Sequence, residues 1–282
     1  MEIFRKVSEM QAFSKNAIRE GKKIALVPTM GFLHEGHLSL IDRACKEADI
    51  VIVSIFVNPT QFGPTEDLDK YPRDFQRDKD LCEARGASAI FAPEPSEMYA
   101  ANRSIWVDEE KLSKKLCGKS RPIHFRGVCT VVSKLFNICL PDVAIFGQKD
   151  AQQALIIKRM VRDLNFPVEI IVSPLIRETS GLAMSSRNKY LTEEQKNDAL
   201  SLSRSLKMAK ELIEKEGLSA CSKAVELMRA EITRCNGEID YIECLDSSTL
   251  EAPAEKTAEL LIALAVKFGT TRLIDNILIG VL

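Results

Sequence analysis

The sequence predicts an α/β fold: a Rossmann-like, doubly wound parallel sheet followed by a second, smaller α+β C-terminal domain. Three observations predict it. Short apolar runs at residues 24–27, 50–57, 89–92, 143–146 and 168–172 alternate with spans of helical periodicity, the pattern of repeated βα units. The first two runs are apolar almost throughout, as strands covered on both faces are. After residue 176 the order changes to helices and then strands, with little βα alternation. The expected domains are residues 1–176 and residues 177–282.

Taken in order, residues 8–20 have helical spacing, which Gly21 ends. Residues 24–27 form the first strand of the alternating pattern. Pro28 and Gly31 break it, and helical spacing resumes with Leu38, Ile41, Ala44, Cys45 and Ala48 on one face. The strand at 50–57 runs into Asn58-Pro59-Thr60-Gln61-Phe62-Gly63-Pro64, a loop too polar for a core and too rigid for a linker. Residues 74–86 form a helix, 89–92 a short strand, 104–107 a further strand and 127–140 an apolar helix. The strand at 143–146 precedes Gly147-Gln148-Lys149-Asp150, a helix to about residue 164 and a strand at 168–172. Met184-Ser185-Ser186-Arg187-Asn188 lies in a polar stretch. Thr192-Glu193-Glu194-Gln195 is a capping box that opens a helix to about residue 217. A second helix at 219–235 and strands at 239–245, 260–268 and 272–281 complete the chain.

In a parallel doubly wound sheet, ligands sit beyond the carboxyl ends of the strands. The turn holding His34 and His37, the loop at 58–63 and the segment at 147–150 all fall there. His34 and His37 lie where a strand becomes a helix, three residues apart and on the same side of the first turn. Unpaired backbone N–H groups and the positive end of the helix dipole favour phosphate at such a point. Gly36 leaves the approach open. From this stretch alone, packed structural histidines and a zinc half-site remain open alternatives. The spacing is one residue short of the His-Glu-x-x-His zinc motif, and no other His/Cys cluster supplies ligands.

Composition narrows the classes. A chain of 282 residues can bury a large core in two domains. A formal net charge of −1 gives no broad positive field for nucleic acid, and 6% aromatic residues give no stacking platform for single strands. The basic cluster Lys111, Lys114, Lys115, Lys119, Arg121 and Arg126 reads mostly as a solvated face, with Arg121, His124 and Arg126 able to border the site. The eight cysteines are scattered, without a Cys-x-x-Cys pair, and read as reduced thiols of a cytoplasmic protein. No membrane span and no signal-peptide core are expected.

The phosphate site is of neither common kind. No complete Gly-x-x-x-x-Gly-Lys-Ser/Thr occurs, since Gly118-Lys119-Ser120 is preceded by Ser113 where the first glycine belongs. No Gly-x-Gly-x-x-Gly follows the first strand. The His-x-Gly-His turn and the Met-Ser-Ser-Arg-Asn loop resemble instead the two signatures of the nucleotidyltransferase and class I aminoacyl-tRNA synthetase superfamily. The finer resemblance is to the pantothenate synthetase family. It is carried by residues 28–37, 58–63, 67–73 (Asp-Leu-Asp-Lys-Tyr-Pro-Arg), 121–127, 147–153, 184–188 and 271–276, in order along essentially the whole chain. Small departures are Ile123, Gln148 and Ala151.

That resemblance implies a ligase that joins (R)-pantoate to β-alanine with ATP as co-substrate and Mg2+ as cofactor. Pantothenate, AMP and pyrophosphate are the products, and a pantoyl-adenylate the intermediate. It implies that His34, His37, Lys149, Ser185, Ser186 and Arg187 contact the triphosphate and serve catalysis, with His37 as the proton donor. Met30, Gly31, Gly147, Ile176 and Met184 then belong to the ATP site, and Asp150 reaches ribose. Gln61 and Gln153 hold pantoate, with Gln61 also near β-alanine, and Asn58 and Phe62 complete that subsite. Mg2+ is carried by the ATP phosphates, with no protein ligand assigned. The C-terminal domain acts as a lid, and the chain is a homodimer with neither nucleic acid nor membrane as partner. Two rivals stand beside this reading: another nucleotidyltransferase of the same fold, and a non-catalytic nucleotide sensor.

Overall fold

The structure, a computed structural model, describes residues 1–64, 66 and 68–281. The first compact unit comprises Met1–Lys114 and Gly118–Pro174, the second Lys115–Cys117 and Leu175–Leu282. In the first unit the order is β1 (Glu2–Phe4), α1 (Val7–Arg19), β2 (Ile24–Thr29), α2 (Glu35–Glu47), β3 (Ile50–Ile55), α3 (Phe75–Ala84), β4 (Ala89–Phe91) and the single turn α4 (Pro95–Met98). Another short turn, α5 (Cys117–Ser120), of which all but Cys117 belongs to this unit, precedes α6 (His124–Cys139), β5 (Val143–Gly147), α7 (Ala151–Asp163) and β6 (Glu169–Ser173).

The six strands make one parallel sheet in the order β1-β4-β3-β2-β5-β6. From β2 the chain winds outward through β3 and β4. It then returns to the other side of β2 to place β5 and β6, so the winding reverses between β2 and β5. Burial explains the composition: Ile24, Ala25, Leu26 and Val27 of β2 and Ile52 and Val53 of β3 are fully buried. Helix α2 lays Leu38, Ile41 and Ala44 on one face of this sheet.

Three sequence expectations need correction. The central strand continues through Pro28 to Thr29. Asp142 N–H donates to Ile24 O at its start, and Phe56 N–H to Thr29 O at its end, so even-numbered backbone groups face β5 and odd ones β3. Pairing of β2 with β5 stops at Leu26, so the proline lacks a donor where no ladder needs one. Residues 104–107 belong to no strand; Val107 N–H donates instead to Thr130 Oγ1 (3.1 Å). Helix α6 begins three residues earlier than its periodicity suggested, which places Gly127 inside it.

The second unit contains α8 (Glu193–Glu216), α9 (Cys221–Arg234) and the antiparallel sheet β7 (Glu238–Asp246), β8 (Glu259–Phe268), β9 (Thr271–Gly280), with β8 central. The capping box forms as read: Gln195 N–H donates to Thr192 Oγ1 (3.2 Å) and Thr192 N–H to Gln195 Oε1 (3.1 Å). Leu202, Leu206, Met228 and Ile232 of the helices pack on Leu260, Ile262 and Leu264 of β8. Among the described residues no helix is long and apolar enough to cross a membrane.

Candidate functional site

The reversal of winding opens the sheet. β2 stays paired with β3 as far as Thr29–Ile55, but with β5 only at Ala25 and Leu26. Past Leu26 the two strands are no longer paired, and doubly wound sheets bind ligands at such a switch point, in the crevice outside the carboxyl ends of the strands. Met30 to His37 follow β2 into it, Asn58 to Phe62 follow β3, and Gln148 to Asp150 follow β5.

His34 is the N-cap of α2 and His37 its third residue. The two rings lie against each other with centroids 4.0 Å apart. His34 N–H donates to His37 Nδ1 (3.3 Å), which leaves the proton of a neutral His37 on Nε2. Burial, and then the positive charge of Lys149, lowers the pKa of His34 to about 4. Burial, then His34 and Lys149, hold His37 well below the ordinary histidine range. At pH 7 both imidazoles are therefore neutral hydrogen-bonding groups, and Lys149 is the nearby cation. His34 Nδ1 is buried and has no hydrogen-bond partner among the described residues. A buried polar atom left this way suits a ligand. The first N–H groups of α2, which have no acceptor within the helix, begin at the same place.

The loop after β3 is built from inside. Buried Asn58 donates from Nδ2 to Gln61 Oε1 (3.2 Å) and to Gly127 O (3.1 Å), while Tyr99 OH donates to Asn58 Oδ1 (2.8 Å). Gly127 lets this loop lie directly on α6, since a Cβ there would stand 2.5 Å from Thr60 O. Gln61 Nε2 in turn reaches Met30 Sδ (3.1 Å), joining this wall to the histidine turn. Behind it, His124 Nδ1 is 3.0 Å from Gln61 O, and Arg121 Nε donates to both oxygens of Glu66 (3.1 and 3.0 Å). Burial, then Arg121, lowers the pKa of His124 to about 4. Phe62 is buried edge-on to Tyr71.

The first unit thus brings together Met30, Gly31, His34, His37, Asn58, Gln61, Phe62, Gly147, Lys149 and Asp150. Lys149 Nζ lies 3.6 Å from Asp150 Oδ2. Gln153 is half-buried in the first turn of α7; its neighbour Gln152 is buried and donates to Leu112 O (2.8 Å). In the second unit, Met184 N–H donates to Ile176 O (3.0 Å), and Ser185 caps a short turn through its Oγ and Arg187 N–H (3.2 Å). Met184, Ser185, Ser186 and Arg187 are all half-exposed. Asp67, in the motif at 67–73, lies outside the described residues. Sequence reading missed Tyr99 and the support that His124 gives to Gln61. No local pattern marks either, because their partners are 41 and 63 residues away.

Paired imidazoles and a lysine at the switch point of a Rossmann-like sheet, with no glycine-rich loop after β2, define the class: a doubly wound α/β protein with polar side chains where such sheets bind ligands. Comparison with known proteins gives the particular family. The model of the pantoate–β-alanine ligase family matches residues 2–278. Pantothenate synthetase of Clostridium novyi is 56% identical over 272 residues, 96% of each chain, and that of Moorella thermoacetica 54% identical over 283 residues, covering 100% of this chain and 99% of that one. Among solved structures, a Thermus thermophilus pantothenate synthetase is similar with a TM-score of 0.93 and 40% identity, covering 98% of this chain and 99% of that one. A Francisella tularensis pantoate–β-alanine ligase, complexed with β,γ-ATP and β-alanine, gives a TM-score of 0.80 and 34% identity over 99% of this chain and 97% of that one. The chain belongs to the pantoate–β-alanine ligase family. It is a ligase, and its two-part fold is the family's.

Proposed function

We propose that this chain condenses (R)-pantoate with β-alanine at the expense of ATP, giving pantothenate, AMP and pyrophosphate through a pantoyl-adenylate. The observation that carries the reading is the meeting of the two walls. Lys149 and two neutral imidazoles follow β2 and β5, and the Gln61 amide, held by Asn58 through its Oε1 and by His124 through its backbone carbonyl, follows β3. Each suits a different substrate. The pantoate carboxylate is ionised at pH 7 and needs no base to attack the α-phosphorus. What the step needs is alignment and relief of charge as pyrophosphate leaves. Lys149 and the imidazole N–H groups supply that relief from fixed positions. Gln61 and Gln153 orient pantoate, Asn58 shapes the loop, and Phe62 offers apolar contact. The neutral amine of β-alanine then attacks the acyl carbon, the acyl–phosphate bond breaks with AMP as leaving group, and the nitrogen gives up one proton to water as the amide forms.

In the same reading Met30, Gly31, Gly147, Ile176 and Met184 line the ATP site, and Asp150 reaches ribose. Ser185, Ser186 and Arg187 of the second unit are assigned to the triphosphate, and that unit to the role of lid, on the family likeness. Mg2+ fits this donor set as a cation carried by phosphate oxygens and water. Phosphate-borne Mg2+ needs no all-protein cage of ligands. When bound, the ion supplies further neutralisation of phosphate charge. A cytoplasmic location accords with eight free thiols, five of them buried. A homodimer follows the family likeness, and the mass in solution tests it. The test of the whole reading is pyrophosphate release from MgATP with pantoate alone, β-alanine alone and both together. Sustained release with both, and pantothenate in the product, is the expected result. Release that ignores pantoate contradicts it.

A further inference from the structure

Helix α3 meets the turn that precedes His34, and one buried carboxylate makes two of the contacts. Asp78, in the first turn of α3, is 1% exposed. Its Oδ2 accepts from Phe32 N–H and its Oδ1 from Leu33 N–H, both at 2.7 Å. These are the two residues that precede His34. Arg77 assists from the same turn of helix, donating to Leu33 O (2.9 Å) with its guanidinium 5.4 Å from the centre of the Phe32 ring.

The turn held in this way is in an unfavourable shape. Gly31 and Phe32 are both left-handed, with φ of +80° and +51°. Glycine adopts this readily, but an aromatic residue does so only when its surroundings insist. The carboxylate is also out of place by itself. A buried ionised group is costly unless its hydrogen bonds are met, and burial pushes the pKa of Asp78 up against the lowering effect of those two N–H bonds. The hydrogen bonds that satisfy it run to the turn leading into the paired imidazoles.

We propose that Asp78 is a positioning residue for adenylation: its buried carboxylate holds the left-handed Gly31–Phe32–Leu33 turn in the one shape that aims His34 and His37 at the triphosphate. The proposal rests on the reading of those histidines as phosphate-binding groups. Both oxygens of Asp78 are taken up by backbone N–H groups, so it acts through the turn. It sets where the N-cap of α2 begins, and so where both rings stand. Replacing one carboxylate oxygen by an amide NH2 sets a donor against a backbone N–H, which keeps the size of the side chain but breaks one arm of the grip.

The test is Asp78→Asn beside two comparison variants, His37→Ala and Asp74→Ala. Asp74 caps α3 by accepting from Arg77 N–H (3.1 Å), so its loss weakens the same helix without touching the turn. The chain has three histidines, and their imidazole resonances can be followed one by one in the free protein. Asp78→Asn is expected to shift the His34 and His37 resonances while leaving His124 in place. It is expected to lower kcat for pyrophosphate release at least tenfold and to leave the KM for β-alanine within twofold. Asp74→Ala is expected to lose thermal stability with kcat within threefold of the parent. Where Asp78→Asn does not fold, Gly31→Ala tests the same grip, because its Cβ would stand 2.9 Å from Asp78 Oδ2. Unshifted His34 and His37 resonances with kcat within twofold overturn the proposal. So does a loss of kcat that Asp74→Ala reproduces at equal stability. Normal turnover in His37→Ala would overturn the reading of the histidines instead, which keeps the two failures apart.

Discussion

Gly127→Ala puts the architecture of the pantoate wall to a quantitative test. Gly127 lies inside α6, and its added Cβ would stand 2.5 Å from Thr60 O, 2.6 Å from Thr60 C and 2.7 Å from Gln61 Cα. All three are backbone atoms, so no side chain can swing aside. Comfortable contact begins near 3.5 Å, so the Asn58–Phe62 loop and α6 must separate by about 1 Å. That movement stretches the Asn58 Nδ2 bond to Gly127 O, now 3.1 Å, and carries Gln61 with it. A displacement of about 1 Å in a positioning group can cost about 10²-fold in rate. Stability should change less. Alanine is the better helix former by about 1 kcal/mol, and overpacking costs about 1–3 kcal/mol. The expected result is a fall of about 10²-fold in kcat/KM for pantoate, a KM for ATP within about threefold, and a melting temperature lowered by a few degrees. Gly280→Ala, where an added Cβ meets nothing within 4 Å, is the matched control. Parental kcat/KM for pantoate in a folded Gly127→Ala variant would refute the placement of Gln61 against pantoate.

Two further outcomes concern stability. His34, His37 and His124 all have folded-state pKa values depressed below the ordinary 6.5, to about 4 for His34 and His124 and well below 6.5 for His37. Below pH 6.5 the unfolded chain takes up protons that the folded chain refuses. Stability should therefore be fully present above pH 6.5 and fall towards pH 4, by at most about 1.4 kcal/mol per pH unit for each histidine. Urea midpoints at pH 7 and pH 5 check this, and equal midpoints with histidines titrating near 6.5 would contradict it. Arg177→Ala removes the partner that holds both oxygens of buried Asp275 (2.7 and 3.0 Å), and should destabilise the second unit by about 3 kcal/mol. A urea unfolding curve of the full chain coincident with the parent's would show that water and Asn276 N–H satisfy the carboxylate alone.

How far the sequence could be read depended on whether a feature is local. The βα alternation, the capping box at Thr192 and the turns at Gly21 and Gly217 are written in neighbouring residues, and they appear in the fold close to where they were expected. So do the polar segments at the strand ends, because a parallel sheet carries every such segment to one side. Strand β1 was missed because three residues at a sheet edge carry no periodicity. Pro28 reads as a strand end in the sequence because its compatibility depends on where β5, more than 110 residues later, stops pairing. The supports of the site were hidden for the same reason. Asp78 looks like any polar residue of an amphipathic helix, and its partners lie 45 and 46 residues earlier. The sequence lets His124 border the site, but does not show that it is buried against the Gln61 carbonyl, 63 residues earlier.

The central claim is that adenylation of pantoate precedes the arrival of β-alanine. Isotope exchange between pyrophosphate and ATP tests it most directly, with Mg2+ and pantoate present and β-alanine absent. Reversible formation of a pantoyl-adenylate predicts exchange that requires pantoate and proceeds without β-alanine. Exchange that strictly requires β-alanine would contradict the two-step account.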